Sequence, residues 1–473
     1  MDSTKSKRLE SVRIIISEII MVLAVVVTVT VLAFVVSGYW LNSDFRVERQ
    51  GMLQVSSVPT GAYVNIDGEE PSWLSVTNTS KVLSSGEHTI ELTKDGYDSW
   101  TKTVNVSEGL LYRLHYPRLF LNSRVIEPVL SVGIASSATI SPDRNRAILA
   151  NNTSEWTMIE LNSETPQQIQ IDISDLFSSV KKEEDAIAGL FPGEVVSADW
   201  DSDSNHVLLK VKFAESIEWA ILDVNSPDRS LNLTKEFGAD FDDIKVLDRS
   251  SNTLLAVRNH NLHRIDLASK SISSVIVENV IDYDYLNNEI FFSAQRKDAP
   301  IDQRYYIGTF RIGDHDTKEI KPLSSPVQLS VSKFYDEKYI TTLQDSTITL
   351  YHDKRNAYEE ILRQELTFSP DSINVGHHGE FITFSRGNTI ATLDMESNII
   401  REWATDGASF GWLDNDMIYS VHDSKLAVYD YDGLNRRELS ENVSSHFPVT
   451  ITDDRWLYYF RDGDLIREWL VER

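Results

Sequence analysis

The sequence predicts an all-β protein behind a single N-terminal membrane helix. Two patterns carry this reading: one uncharged apolar run near the start, and after it a long succession of short β-rich runs separated by polar turns. Composition narrows it further. The chain has 473 residues, no cysteine, and 72 acidic against 45 basic side chains, for a net charge of −27. That length suggests two or three domains. Without cysteine there is no disulfide framework, thiolate metal site, iron–sulfur cluster or thiol nucleophile. The acidity argues against nucleic acid as a partner, because phosphate contacts need clustered Lys and Arg. A hydrophobic fraction of 41% is too high for a disordered chain.

Residues 19–36, IIMVLAVVVTVTVLAFVV, carry no charge. As a helix at about 1.5 Å per residue they cover about 27 Å, and with residues 14–16 about 35 Å, enough for a hydrocarbon layer of about 30 Å. Lys5, Lys7, Arg8 and Arg13 precede the run, and Tyr39 and Trp40 close it where an aromatic belt belongs. Arg13, Tyr39 and Trp40 are therefore the expected interface residues. The positive-inside rule places a cytoplasmic tail at 1–13, a membrane helix at 14–38 and all that follows outside. The expectation is a single-pass plasma-membrane protein whose lipid contact is 14–38. A cleaved signal peptide is the alternative, but its apolar region is usually shorter and ends in an Ala-x-Ala exit that is missing here.

Residues 51–117 read as a small β module. Leu53 and Val55, then Tyr63, Val64 and Ile66, form short strands, and Asp67-Gly68 signals a hairpin turn. Two further strands follow at 88–92 and 100–106. The order Pro59-Thr60-Gly61-Ala62, Val64-x-Ile66-Asp67-Gly68, Gly86-Glu87-His88, Lys94-x-Gly96-Tyr97 and Trp100 resembles the PEGA domain, a β-sandwich-like module of prokaryotic envelope proteins. Thr60 stands where that family has its glutamate, and residues 71–80 replace its usual Gly-x-Thr-Pro turn. The resemblance implies a structural or binding role at the cell surface and no catalysis. Tyr97, Trp100, Tyr112 and Tyr116 fit a module core, with a sugar-stacking platform as the other reading.

Residues 118–473 repeat one phrase: a short β-rich run, a polar turn, and a second run closing on Asp, Asn or another polar residue. The copies fall at 148–161, 207–224, 254–267, 290–312, 339–352, 381–394, 417–430 and 457–470, about 44 residues apart. That is the length of a four-stranded propeller blade. Eight blades fit the available chain, with seven as the alternative. The turn in SATISPDRNRAILA (137–150) resembles that of TolB-type and WD40-like propellers. The last copy ends almost at Arg473, so its outer strand is expected from 124–130, which would staple the ring shut.

In such blades the B–C and D–A connections emerge at one end. The longest connections, 163–196, 212–216 and 295–303, therefore share an end. Within the first, 175–190 spaces Leu176, Val180, Ile187 and Leu190 as a short amphipathic helix. Loops on rigid scaffolds carry function, so Lys181, Lys182, Glu183, Glu184, Phe191, Arg296, Lys297 and Asp298 are the expected partner-binding face. The bland reading is a set of tolerated surface insertions.

Motifs for chemistry are weak. Asp199-x-Asp201-x-Asp203-x-Asn205 alternates oxygen ligands as a calcium loop does, but lacks the glycine and the closing glutamate. An A–B turn capped by its own side chains explains it equally. Gly407-x-Ser409-x-Gly411 matches a nucleophile elbow in letters, yet no helix pattern follows it. His260-x-x-His263 and His377-His378 sit in turns without an acidic ligand at metal spacing. No catalytic residue, cofactor or metal centre is assigned. The expected function is a non-catalytic, extracytoplasmic scaffold that presents a propeller to an envelope protein or glycan. The alternatives are a hydrolase or lyase acting on envelope polysaccharide from the funnel, and an accessory subunit of an envelope assembly or export complex.

Overall fold

The computed structural model describes residues 3–36, 39–41, 47–69, 76–131, 135–178, 191–247, 250–314, 316–354, 357–376 and 378–472. They form two compact units, 1–123 and 124–473.

In the first unit, α1 (Ser3–Val36) leads into seven strands. These are β1 (Tyr39–Leu41), β2 (Val47–Val55), β3 (Tyr63–Ile66), β4 (Thr79–Ser84), β5 (Gly86–Thr93), β6 (Trp100–Val106) and β7 (Leu111–Leu114). Side chains of α1 are described over 18–34, and among the described residues no helix is long and apolar enough to cross a membrane. One sheet runs β1-β2-β4, with β7 parallel to β2, and the other runs β3-β5-β6. Alternation along β6, buried at Trp100, Lys102, Val104 and Val106, turns one face inward. Gly51 lets the backbones close: a Cβ there would meet Val106 Cγ1 at 2.4 Å. Trp100 and Tyr116 pack edge to face at 6.1 Å within this core, and Tyr97 is buried too, so these rings fill the module rather than offering a platform.

Asp67-Gly68 does form a turn with both φ positive, 55° and 78°, but it joins no hairpin, because β3 pairs with β5. The Asp67 carboxylate explains this departure. Its Oδ1 accepts the Thr89 N–H at 2.8 Å and its Oδ2 faces His88 Nδ1 at 2.7 Å, tying the turn to β5. Burial works against the His88 charge, but Asp67 and the Ser84 carbonyl outweigh it and raise its pKa. The unit also runs past its expected end at 117. Leu119 N–H donates to Val58 O, Asp98 N–H to Phe120 O and Asn122 N–H to Gly96 O, and Leu119, Phe120 and Leu121 are buried. Residues 118–123 thus belong to the first unit.

In the second unit the described residues form eight four-stranded antiparallel sheets, the blades of a propeller. Blade 1 has strands A (Ala135–Ile140), B (Arg146–Asn151), C (Glu155–Glu160) and D (Gln168–Asp172). Blades 2 to 7 span 194–232, 243–272, 280–323, 328–365, 372–404 and 409–441. Blade 8 takes A to C from 450–469, and its strand D is Ile126–Ser131, from the opposite end of the unit. The repeated phrase is the B–C hairpin of every blade. Those strands lie between two neighbouring sheets, so both faces are buried and both are apolar. Several hairpins close through two residues of positive φ, as at Asn259-His260, Asp423-Ser424 and Asp462-Gly463.

Strands A of neighbouring blades meet around the axis, and each is an edge that needs partners. Side chains supply some of them. In blade 4, Asp282 and Asp284 accept the N–H groups of Leu329 and Val331 in blade 5, each at 2.8 Å. Between blades lie continuous cores, such as Ile148, Trp156 and Met158 against Val207, Leu209 and Val211. The last seam closes the ring. Trp456, Tyr458, Phe460 and Leu465 pack on Ala147, Leu149 and Ile159, and Tyr458 Oη–H donates to Leu161 O at 2.8 Å.

Candidate functional site

The antiparallel order A–B–C–D puts the B–C and D–A connections at one end of the ring and the A–B and C–D connections at the other. The longest connections, 173–193, 233–242, 296–304 and 442–449, share the first end, whereas the expected long turn at 212–216 is only a four-residue loop. Lys181, Lys182, Glu183 and Glu184 lie outside the described residues, as do Val180, Ile187 and Leu190. Phe191 corrects the expectation: it is 8% exposed and sits in an aromatic cluster with Phe177, Phe213 and Trp156, at 5.9, 6.0 and 5.9 Å. A ring this apolar is worth more in the seam between blades 1 and 2 than in water. Leu176 and Phe177 enter the same core. The connection is therefore pinned by buried side chains on both sides of 179–190.

Arg296 is also committed. Its guanidinium lies over the Tyr306 ring at 3.9 Å and pairs with Glu319 at 2.5 Å. Lys297 and Asp298 are exposed on the same loop, and Ile301 beside them is 71% exposed. Of the expected interface residues, Tyr39 and Trp40 lie on β1, paired with Arg49 and Glu48, and Arg13 lies on α1; their side chains are outside the described set.

The acidic motif is a turn. Asp201 N–H donates to His206 O, and Asp201 Oδ1 accepts from the N–H groups of Asn205 and His206 at 2.7 and 3.0 Å. Its Oδ2 faces His206 Nδ1 at 2.8 Å, so both oxygens are used. Asp199 lies on strand A of blade 2, where burial raises its carboxyl, and Asp203 is exposed. Blade 1 uses the same turn, with Ser141 N–H on Arg146 O and Asn145 N–H on Asp143. Ser409 is no elbow: it opens strand A of blade 7, and its hydroxyl donates to Ser445 O at 2.6 Å. His260 occupies a hairpin turn, His263 Nδ1 faces Ser273 O at 3.0 Å, and His377 is outside the described residues.

Sequence reasoning missed a cleft at the A–B/C–D end, between blades 2 and 3. Its volume is about 420 Å³, and its walls are His206, Ile221, Asp223, Arg229, Leu231, Asn252, Leu267 and Ala268. Of these, Ile221 belongs to the apolar core of the seam, and Leu231 and Leu267 pack against it. His206 is the first residue of strand B (His206–Lys212). At that same place in blades 1, 4 and 6 the side chain reaches across the seam, whereas in blade 5 Glu337 pairs with His352 of its own blade. Arg146 donates to Ser204 O and Asn225 Oδ1 of blade 2, Glu289 pairs with Lys338 of blade 5, and Phe381 stacks on Tyr431 of blade 7. His206 instead turns back to Asp201 of its own blade. Asp201 holds the imidazolium above its ordinary pKa against the pull of burial. Its Nε2 lies 3.9 Å from Asp223 Oδ2, beyond hydrogen-bond reach. Asp223 Oδ1 is taken by the N–H groups of Asn225 and Ser226. Arg229, in the one-turn 3-10 segment Pro227–Arg229, is exposed and has no side-chain partner among the described residues.

Residues 50–117 match the PEGA domain family. No curated protein matches the chain. Among solved structures, the C-terminal WD40 domain of Sif2 aligns at TM-score 0.50 and 10% identity, over 74% of this chain and 99% of that one. The propeller domain of Cps50 (Swd1) from Myceliophteria thermophila aligns at 0.40 and 8%, over 74% and 100%. PorZ, described as a surface component of the type-IX secretion system of Porphyromonas gingivalis, aligns at 0.40 and 12%, over 71% and 42%. The chain thus carries a PEGA domain and a WD40-like β-propeller.

Proposed function

We propose that this PEGA-domain propeller chain is a single-pass, membrane-anchored scaffold whose ring binds an envelope protein or glycan outside the plasma membrane. The observation that carries the binding role is the closed eight-bladed ring with its four longest connections at one end. A rigid ring that displays variable loops is a recognition surface, and function on such folds resides in the loops. The anchoring part rests on the uncharged run 19–36 and on its exposure within α1. Ile19, Met21 and Leu23 are 60 to 64% exposed, so apolar side chains stand without protein cover and suit a lipid surround. In this reading 1–13 is cytoplasmic and 14–38 is the span.

A photo-crosslinking amino acid placed singly at Lys297 or at Asp336 in the full chain tests the binding role. Lys297 lies on the B–C loop of blade 4, and Asp336 on an A–B turn at the opposite end. The expected result is a discrete heavier adduct from Lys297 in intact cells and none from Asp336. Equal labelling from both positions, or from neither, contradicts the reading.

A further inference from the structure

The geometry points to the cleft between blades 2 and 3 as a binding site for a peptide carboxylate flanked by an aliphatic side chain. The first reason is the open space beside His206. Where Arg146, Glu289 and Phe381 close their seams, His206 leaves a space of about 420 Å³ above an apolar floor. That volume is within the range of small-ligand sites, which are concave, largely apolar and set with a few convergent polar groups.

The second reason is which polar groups converge. Arg229 offers a guanidinium that, among the described residues, no carboxylate claims, in a chain with a net charge of −27. Arg is the side chain best suited to a planar carboxylate, which it can grip through two parallel N–H donors. His206 Nε2 is free of hydrogen bonds while Nδ1 is fixed on Asp201, so the ring is oriented with a donor facing the cleft wall. Asp223 keeps Oδ2 available beside it, since its backbone bonds use Oδ1. A ligand here meets a cationic grip and, a few ångströms away, an acceptor for an amide N–H.

The third reason is the floor. Ile221, Leu231, Leu267 and Ala268 are aliphatic, and no ring other than His206 lines the cleft. Sugar sites rely on aromatic faces for stacking, whereas an aliphatic floor matches Val, Leu or Ile. The occupant is therefore a peptide: its carboxylate on Arg229, its N–H on Asp223, and its aliphatic side chain over Leu231 and Leu267. This site lies at the end opposite the long connections and does not depend on them.

Titration calorimetry on the full-length protein in detergent tests this with three probes. They are N-acetyl-alanyl-leucine with a free carboxylate, its C-terminal amide, and N-acetyl-leucyl-aspartamide with a side-chain carboxylate. The first is expected to bind with a Kd of about 1 mM or tighter, and its amide at least about tenfold more weakly. Binding of the aspartyl probe as well marks an internal acidic segment as the natural source; its failure marks a chain terminus. Arg229→Gln, at an exposed position, is expected to abolish acid binding with the melting temperature unchanged. Ala268→Trp, which fills the mouth, is expected to do the same. Equal binding of acid and amide, an Arg229→Gln variant that binds as before, or no acid binding below about 10 mM overturns the proposal.

Discussion

Arg124→Ala is expected to loosen the ring where it closes. Arg124 stands just before strand D of blade 8, its Nε paired with Glu468 Oε1 and its Nη2 donating to Leu439 O of blade 7 at 2.6 Å. Glu468 is 0% exposed on strand C of blade 8 (Asp464–Trp469), in register with Ile126. Burial pushes its carboxyl up, and Arg124, Ser440 and Tyr459 draw it back. Removing one partner of such a pair leaves an uncompensated charge and costs about 3–5 kcal/mol. Amides of 464–469 should then exchange about a hundred to several thousand times faster above neutral pH. The sign of the pH effect follows. A carboxyl whose folded pKa lies above its unfolded value is best tolerated when protonated, so the defect shrinks as pH falls through that folded pKa and grows as pH rises. The pair Arg124→Met with Glu468→Leu is expected to recover most of the loss, since an apolar pair of similar volume removes the stranded charge. Exchange unchanged in Arg124→Ala at pH 8 would show that the clasp does not hold the seam.

Phe177→Ala is the second large effect. Phe177 is 0% exposed and packs against Phe191 and Phe213 at 5.9 and 5.7 Å, in the core shared by blades 1 and 2. Truncating a buried Phe costs about 3–5 kcal/mol through lost burial and the cavity left behind. Exchange at strand D of blade 1 and strand A of blade 2 is expected to rise together, because both rest on that cluster. Excising 182–188 instead is expected to leave both strands protected, since the pins at 177 and 191 remain. The opposite ranking would mean that the intervening segment, rather than the rings, holds the connection.

The ring was legible because its B–C hairpins repeat a local rule. Strands such as Phe381–Arg386 and Thr389–Asp394 are apolar on both faces, and the turn between them carries polar or glycine residues. The closing strand was legible by counting, since the last copy lacks a fourth run of its own. Thr79–Ser84 and Leu111–Leu114 were not legible: the first is a polar strand on an edge, and the second pairs in parallel with a strand nearly sixty residues away. Phe191 was misplaced because a ring beside a long charged insertion looks like part of it; the cue was the pair of aromatics, Phe177 and Phe191, bracketing the charges. The cleft was invisible for a different reason. His206 and Asn252 come from two strands of neighbouring blades, and Arg229 and Leu267 from two connections, so only the folded ring brings them together. A hint lay in Pro227-Asp228-Arg229, a short cation-bearing turn after strand C.

Because the chain contains no cysteine, single cysteines test its orientation cleanly. Glu215→Cys, on the exposed B–C loop of blade 2, and Ser6→Cys, near the N-terminus, would each be treated in intact cells with a membrane-impermeant maleimide. The scaffold account predicts full labelling at 215 and labelling at 6 only after the membrane is opened. Labelling at 215 that also waits for lysis would contradict it.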